Sequence, residues 1–184
     1  MPSHHIRPLA ICVFSRRGRI LVNEVHDPAQ GPSFFRPLGG GIEFSETSDQ
    51  TIVREIREEL NAEVKNLRLI GTLENIFTYL GIPHHEIVQV YDAEFVDRSI
   101  YEFASVTGTE SSGKPFRATW RDLDSFAPES ALVPEGLLQL LRLNGAHRVR
   151  GLLKSPHAEP LTVEQMDEGI SRHLRDKHAP KSRG

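Results

Sequence analysis

Three successive glycines, Gly39-Gly40-Gly41, break an extended stretch from Phe34 to Phe44, and a segment of helical periodicity from about Ser48 to Leu60 follows almost at once. A strand that ends in such a run lets the backbone approach a ligand closely and leaves its carbonyls available to it. The helical segment carries Arg54-Glu55-Ile56-Arg57-Glu58-Glu59. At about 100° per residue, with Arg54 at 0°, Glu58 falls near 40°, Glu55 near 100° and Glu59 near 140°, while Ile52, Leu60, Ile56 and Val53 lie between roughly 160° and 260°. Three carboxylates therefore share one flank, and the apolar residues pack behind them. Glu55 and Glu59 form an i, i+4 like-charge pair that costs a few tenths of a kcal/mol in a bare helix. A divalent cation turns that repulsion into coordination. Clustered carboxylates without histidine or thiolate suit a hard ion such as Mg²⁺ or Mn²⁺.

The hexapeptide alone also fits a solvated helix face on which Arg54 pairs with Glu58. The glycine run upstream favours the ligand site. Glu46 lies between the two features, placed to hold Arg54 and so orient the carboxylates. Ser45 and Ser48 are both N-cap candidates, and Asn61 suits the left-handed position after the last turn.

Gly40, five residues, Glu46, seven residues, then Arg54-Glu55-Ile56-x-Glu58-Glu59-x-Asn61-Ala62 resembles the Nudix box of the Nudix hydrolases. Only Asn61 departs, standing where the family has Gly. The resemblance extends over residues 6–143. It implies an α/β fold, a Nudix-type α/β/α sandwich with a central mixed sheet and the box as strand–loop–helix. It also implies hydrolysis of a nucleoside diphosphate linked to another group, with Mg²⁺ or Mn²⁺ as cofactor. Glu55, Glu58 and Glu59 would be metal ligands beside the Gly40 carbonyl, and Arg54 and Glu46 would complete the catalytic group. One glutamate would act as base, and which one stays open.

A pyrophosphate is polyanionic, so a carboxylate site repels it unless divalent ions intervene. The family often adds a downstream carboxylate, for which Glu86, Glu102 and Glu110 are candidates in that order. Arg36 is a candidate phosphate contact. Phe34, Phe35 and Tyr79 are candidates to stack a base, with core packing favoured for the two phenylalanines. Tyr79 also stands 17 residues beyond Ala62, loosely like the tyrosine of diadenosine-polyphosphate members.

A non-catalytic member of the same fold is the rival reading, and the intact box glutamates argue against it. ADP-sugars, dinucleoside polyphosphates and modified nucleoside triphosphates stay open as substrates. Capped RNA ends are least favoured for want of a basic face, so nucleic acid is not an expected partner. The longer signatures of NADH and coenzyme A pyrophosphatases are not evident. Family habit suggests a homodimer.

The 184 residues, 38% hydrophobic with a formal net charge of −3, suit one domain plus an appendage and argue against a nucleic-acid coat or polybasic membrane binder. The lone Cys12 makes neither an internal disulfide nor a thiolate zinc cluster. The apolar run Pro8 to Phe14 is far shorter than the ~20 residues of a membrane-spanning helix. Arg16, Arg17 and Arg19 follow it where a signal peptide has a cleavage site. A cytoplasmic protein is the expectation.

Residues 7–14 and 19–26 read as a hairpin around Arg17-Gly18, and 66–79 with 85–95 as a second pair joined by Gly81-Ile82-Pro83. Residues 105–114 read as a polar loop, and Arg117 to Trp120 as a short strand. Pro134 opens a leucine-rich helix that Asn144-Gly145 closes. His84-His85-Glu86 lacks the second zinc histidine, because position 89 is Gln89, and it sits in an alternating strand.

The main domain is expected over 1–144 and an extension over 145–184. The extension carries eight Lys or Arg against five Asp or Glu, while the rest has 14 against 20. Thr162 and Gln165 match a capping box, and Val163, Met166, Ile170 and Leu174 make one apolar stripe. A helix over about 163–178 follows.

Overall fold

The computed structural model describes residues 5–26, 33–79 and 81–152, with side chains described as far as 145. The chain divides into units 1–144 and 145–184, and residues 145–152 continue the last helix. The main elements are β1 (Arg7–Val13), β2 (Ser15–Arg16), β3 (Arg19–Val25), β4 (Phe34–Arg36), β5 (Leu38–Gly41), α1 (Ser48–Leu60), β6 (Val64–Tyr79), β7 (Ile82–Phe95), β8 (Ser105–Thr109), β9 (Pro115–Asp122) and α2 (Leu137–Leu152).

One sheet has the order β5-β1-β7-β6, mixed because β1 and β7 run parallel while the other pairs are antiparallel. The other has the order β2-β3-β9-β8, with β4 also on β3, and is antiparallel throughout. This is the Nudix α/β architecture that the box implied.

The first hairpin needs correcting. The turn is right, since Arg17 and Gly18 both take positive φ (48° and 79°). The pairing across it is short, however, with Ser15↔Ile20, Arg16↔Arg19 and a Leu21 N–H donating to Phe14 O at 3.0 Å, and β1 leaves for the other sheet. The reason lies in burial. Ala10 and Cys12 point into one core and Ile11 and Val13 into another. A strand buried on both faces belongs in the middle of a sheet, and its apolar run is continuous rather than alternating.

Helix α1 has the expected bounds, but its N-cap is Thr47, not Ser45 or Ser48. The Thr47 N–H donates to Gln50 Oε1 at 3.0 Å. Ser45 sits in the preceding turn at φ 67°, and the Ser48 hydroxyl bonds the Tyr91 hydroxyl at 2.6 Å. Asn61 adopts the expected left-handed backbone and its N–H donates to Arg57 O at 2.9 Å. Ile52 and Ile56 are fully buried beside Phe14, Leu21 and Phe95, the apolar back of the wheel.

The segment 105–114 is also corrected, because Ser105 to Thr109 is strand β8, paired with β9, and only 110–114 is loop. Polar composition concealed it. Gly108 has a packing reason, since a Cβ there would strike the Phe116 ring and the Glu59 carbonyl oxygen. In the second hairpin the turn is tighter than expected, and Ile82 and Pro83 already belong to β7. Strand β7 is buried on both faces, with Tyr91, Ala93 and Phe95 against the α1 core and Val88 and Val90 against a second core.

Helix α2 starts at Leu137, three residues after Pro134, and runs through Asn144-Gly145 instead of ending there. The Asn144 side chain donates to Leu140 O within the helix at 2.9 Å rather than supporting a left-handed stop. Leu137 and Leu141 enter the second core with Ile11, Val13, Val88 and Val90. The helix expected over 163–178 lies outside the described residues. Among the described residues no helix is long and apolar enough to cross a membrane.

Candidate active site

Strand β5 delivers the glycines to α1 through its register with β1, in which Leu9, Ala10 and Ile11 face Gly41, Gly40 and Gly39. Gly40 lies directly against the end of Glu55, so that a Cβ at this position would fall inside the Glu55 carboxyl group. Gly39 has φ +133°, and a Cβ there would strike the Ala10 carbonyl. The glycine run is thus a contact surface rather than a loose linker.

Replacing Gly40 by Ala is therefore expected to push Glu55 aside, lowering stability by about 1–3 kcal/mol, the usual cost of overpacking, and turnover at least ~10-fold. Gly41 has open space around its Cβ position. Gly41→Ala is expected to stay within ~0.5 kcal/mol of wild type. Urea unfolding and initial rates on the two variants check the contrast.

Arg54 organises the acidic flank. Its Nε and Nη2 donate to the two oxygens of Glu46 at 2.9 and 3.0 Å, and Nη2 also reaches Gly41 O at 3.0 Å. Its Nη1 donates to Glu55 at 2.8 Å and to Glu58 at 3.2 Å. Such a fork holds several acceptors in fixed relative positions, which a lysine does not. The Arg54 guanidinium and a hydrogen bond from Thr51 hold the Glu46 carboxyl far below its ordinary 4.5, at about 2. Thr51 is fully buried, and sequence reasoning missed it. Its signal was available, because it falls at about 60° on the helical wheel, between Glu58 and Glu55.

Glu55 is buried, whereas the Glu58 side chain is 54% exposed. Glu59 is half-buried, and its carboxyl is pushed up from 4.5 to about 7, first by burial and next by Glu55, with Glu110 and Glu58 adding to the rise. Arg36 opposes the shift, so both Arg36 and Glu110 lie within electrostatic reach of Glu59. Among the three downstream carboxylates, Glu110 is the one that meets the box in this way. Glu86 is buried in an ion pair with Arg7 at 3.4 Å, and alternation along β7 puts it on the face of Val88 and Val90. Glu102 is paired with Arg16 at 3.2 Å.

A raised carboxyl has a sign in stability. The folded protein holds the Glu59 proton more tightly than the unfolded chain, so this group makes stability fall as pH rises from about 4.5 through about 7. Metal-free protein is expected to show that decline in urea midpoints, and Glu59→Gln to remove it. Saturating Mg²⁺ is expected to offset it, because a cation favours the ionised form.

Arg36 also donates to Gly39 O at 3.4 Å. Phe34 and Arg36 share one face of β4, and Phe35 points the other way. Phe35 is a core residue, edge-on to Phe126 at 5.8 Å and under the Arg121 guanidinium at 4.3 Å. Phe34 instead meets Tyr79 edge-on at 6.2 Å, and Tyr79 leans on His84 at 6.4 Å. His85 pairs with Glu74 at 2.8 Å.

Among the described residues, no three acidic, histidine or cysteine side chains converge on one point, and Arg54 Nη1 bridges Glu55 and Glu58. The donor chemistry nonetheless fits a hard divalent cation. Every donor is an oxygen, and burial together with neighbouring carboxylates has already raised the cost of ionising Glu59.

Comparison with known proteins gives one consistent picture. The family described as NUDIX domain matches residues 4–139. An NAD-capped RNA hydrolase NudC from Actinobacillus succinogenes is 30% identical over 139 residues, covering 73% of this chain and 47% of the relative. Its counterpart from Pectobacterium carotovorum is 31% identical over 90 residues, 49% of this chain and 32% of that one. The chain thus spans between about a third and a half of these relatives. Among solved structures, the E. coli ORF135 protein superposes with a TM-score of 0.54 at 19% identity, covering 86% of this chain and 99% of the other. A MutT NUDIX hydrolase from Burkholderia pseudomallei gives 0.54 at 21% identity, covering 76% and 99%. At such identities the superpositions speak for the fold.

Proposed function

The chain belongs to the Nudix hydrolase family, and from that premise we propose that it cleaves a pyrophosphate bond in a nucleoside diphosphate linked to another group, with Mg²⁺ or Mn²⁺. The observation that carries this reading is the acidic flank of α1, where Glu55 is lodged against Gly40 and Arg54 ties Glu46, Glu55 and Glu58 together. Glu55, Glu58, Glu59 and the Gly40 carbonyl would hold the ion. When held there, such an ion would neutralise phosphate oxygens and lower the pKa of a water.

The other roles belong to the chain. Glu46 and Thr51 fix Arg54, which positions the glutamates. A bound cation would hold Glu59 ionised, so the proton acceptor stays open among the glutamates, and Glu110 is the downstream carboxylate within electrostatic reach of Glu59. Arg36 lies within electrostatic reach of Glu59 and would supply a positive contact for a phosphate. Phe34 and Tyr79 offer an aromatic surface for a base. Glu86 we assign to its ion pair with Arg7 rather than to substrate.

The relatives' names put a dinucleotide diphosphate, and RNA that carries one, among the substrates to try. Residues 1–144 have 14 Lys or Arg against 20 Asp or Glu, which keeps the small dinucleotide first. Nucleotide substrates and a lone thiol both suit the cytoplasm.

The deciding experiment is a panel of ADP-sugars, dinucleotides, dinucleoside polyphosphates, nucleoside triphosphates and capped RNA, with Mg²⁺ or Mn²⁺ in heavy-oxygen water. Release of a mononucleotide with label on one phosphorus is expected. Binding of these compounds without any turnover would make the chain a non-catalytic module of the same fold.

A further inference from the structure

We propose that Asn23 is a substrate contact, its side-chain amide donating to a phosphate oxygen beside Arg36; this rests on the pyrophosphate-hydrolase reading and deepens it. Among the described residues the buried polar side chains are Asn23, Thr51, Glu55, Glu86 and Asp92. Thr51 is bonded to Glu46, while Glu55, Glu86 and Asp92 meet Arg54, Arg7 and Arg68. Asn23 is only 8% exposed, and its amide bonds to no described residue. Nor is the amide sealed off, since Arg121 Nε is the one closed and unpartnered side-chain atom among the described residues. Folds keep few such groups, because each loses hydration without a bond in return.

Alternation along β3 puts Asn23 on the face of Leu21, while Ile20 and Val22 enter the second core. Leu21 belongs to the core under α1 with Ile52, Ile56 and Ala118. In register, Asn23 stands between Arg36 of β4 and Ala118 of β9. Cross-strand neighbours of this kind have Cβ atoms about 5 Å apart. Two residues before Ala118, Phe116 pairs with Gly108, where β8 meets the Glu59 carbonyl. The row that holds the amide therefore closes on the last turn of α1, and Arg36 is in electrostatic reach of Glu59.

The neighbours select the ligand. A group lodged between a guanidinium and a cation-holding acidic helix is an anion, and a neutral base would leave the charge of Arg36 unanswered. The amide Nδ2 offers two donors to a phosphate oxygen, and Oδ1 can accept from Arg36 at the same time. A neutral donor also suits so enclosed a position, because burying a second cation there would cost far more.

Calorimetry of methylenediphosphonate, whose carbon bridge resists hydrolysis, tests the contact in saturating Mg²⁺. Asn23→Ala is expected to weaken its binding about 10-fold, the worth of a hydrogen bond to a charged group. Asn23→Asp keeps the shape but repels phosphate, so it is expected to lose at least as much. On substrate, KM should rise for Asn23→Ala with little change in kcat, the mark of a contact made before and during reaction. Its urea midpoint should not fall, since no bond within the fold is lost. Failure of the wild type to bind the analogue, or equal binding by both variants, would overturn the proposal. A loss confined to whole nucleotides would also overturn it and move the amide to the base, and a lowered midpoint with binding intact would make Asn23 a packing residue. Wild type that binds the analogue through Asn23 yet cleaves nothing removes the hydrolase reading and leaves the contact standing. Wild type that cleaves while Asn23→Ala matches it removes the contact alone.

Discussion

Glu58→Gln is expected to lower kcat at least ~100-fold while leaving the fold intact. The Glu58 side chain is 54% exposed and its hydrogen bond is to Arg54, so the amide exchange costs little stability. What it removes is a full negative charge and a hard-ion donor. Glu59→Gln is expected to cost turnover on the same scale with the opposite effect on folding. Burial already disfavours the Glu59 carboxylate, so the neutral amide relieves the metal-free protein above pH ~7. Turnover and urea midpoints measured side by side separate the two effects. Either variant turning over near the wild-type rate would remove the acidic flank from the chemistry.

Arg54→Ala should be the most damaging single change to the architecture of the site. It strips the partner from Glu46 and Glu55, both largely shielded, and from Glu58. Losing one member of a fully buried ion pair costs about 3–5 kcal/mol; with Arg54 partly solvated, roughly 2–3 kcal/mol is expected here. Turnover should fall ~10- to 100-fold, and Arg54→Lys should restore little, because an ammonium cannot reach Glu46, Glu55 and the Gly41 carbonyl together.

The acid limb offers an independent check. Since the Glu46 carboxyl is lowered to about 2, its contribution to stability is complete above its ordinary 4.5 and disappears as pH falls toward 2. Arg54→Ala should lose most of that slope, so wild type and variant should converge at low pH. A constant gap between their urea midpoints from pH 7 to pH 3 would assign the damage to packing instead.

The parts of the molecule written in local spacing were legible. The bounds of α1, its apolar back, the left-handed Asn61 and the grouping of Glu46 with Arg54 all follow from residues within a few turns of one another. Pairing partners were not. The pattern of β1 shows that it is extended and buried, but nothing in residues 7–14 says that Gly40 and Gln89 flank Ala10. The cap went to Thr47 because a side chain three residues on, Gln50, closes the turn, and serines at 45 and 48 look equally good until their backbone is known. Strand β8 was hidden by Thr107, Gly108 and Thr109: the two threonines are exposed, and Gly108 is small because the Phe116 ring and the Glu59 carbonyl crowd it. Glu110 ranked below Glu86 for a similar reason. Its value depends on how the 110–114 turn folds back toward Glu59, a long-range fact.

Register also settles how the site opens. The glycine bend hangs from β1, the strand enclosed on both sides within its sheet and buried on both faces. Amides in such a strand exchange with solvent only when most of the domain comes apart. The segment with the fewest side chains is therefore anchored to the slowest-fraying one. Heat or denaturant should take away cation uptake and the global fold in one step, with no partly melted species that has lost the bend alone.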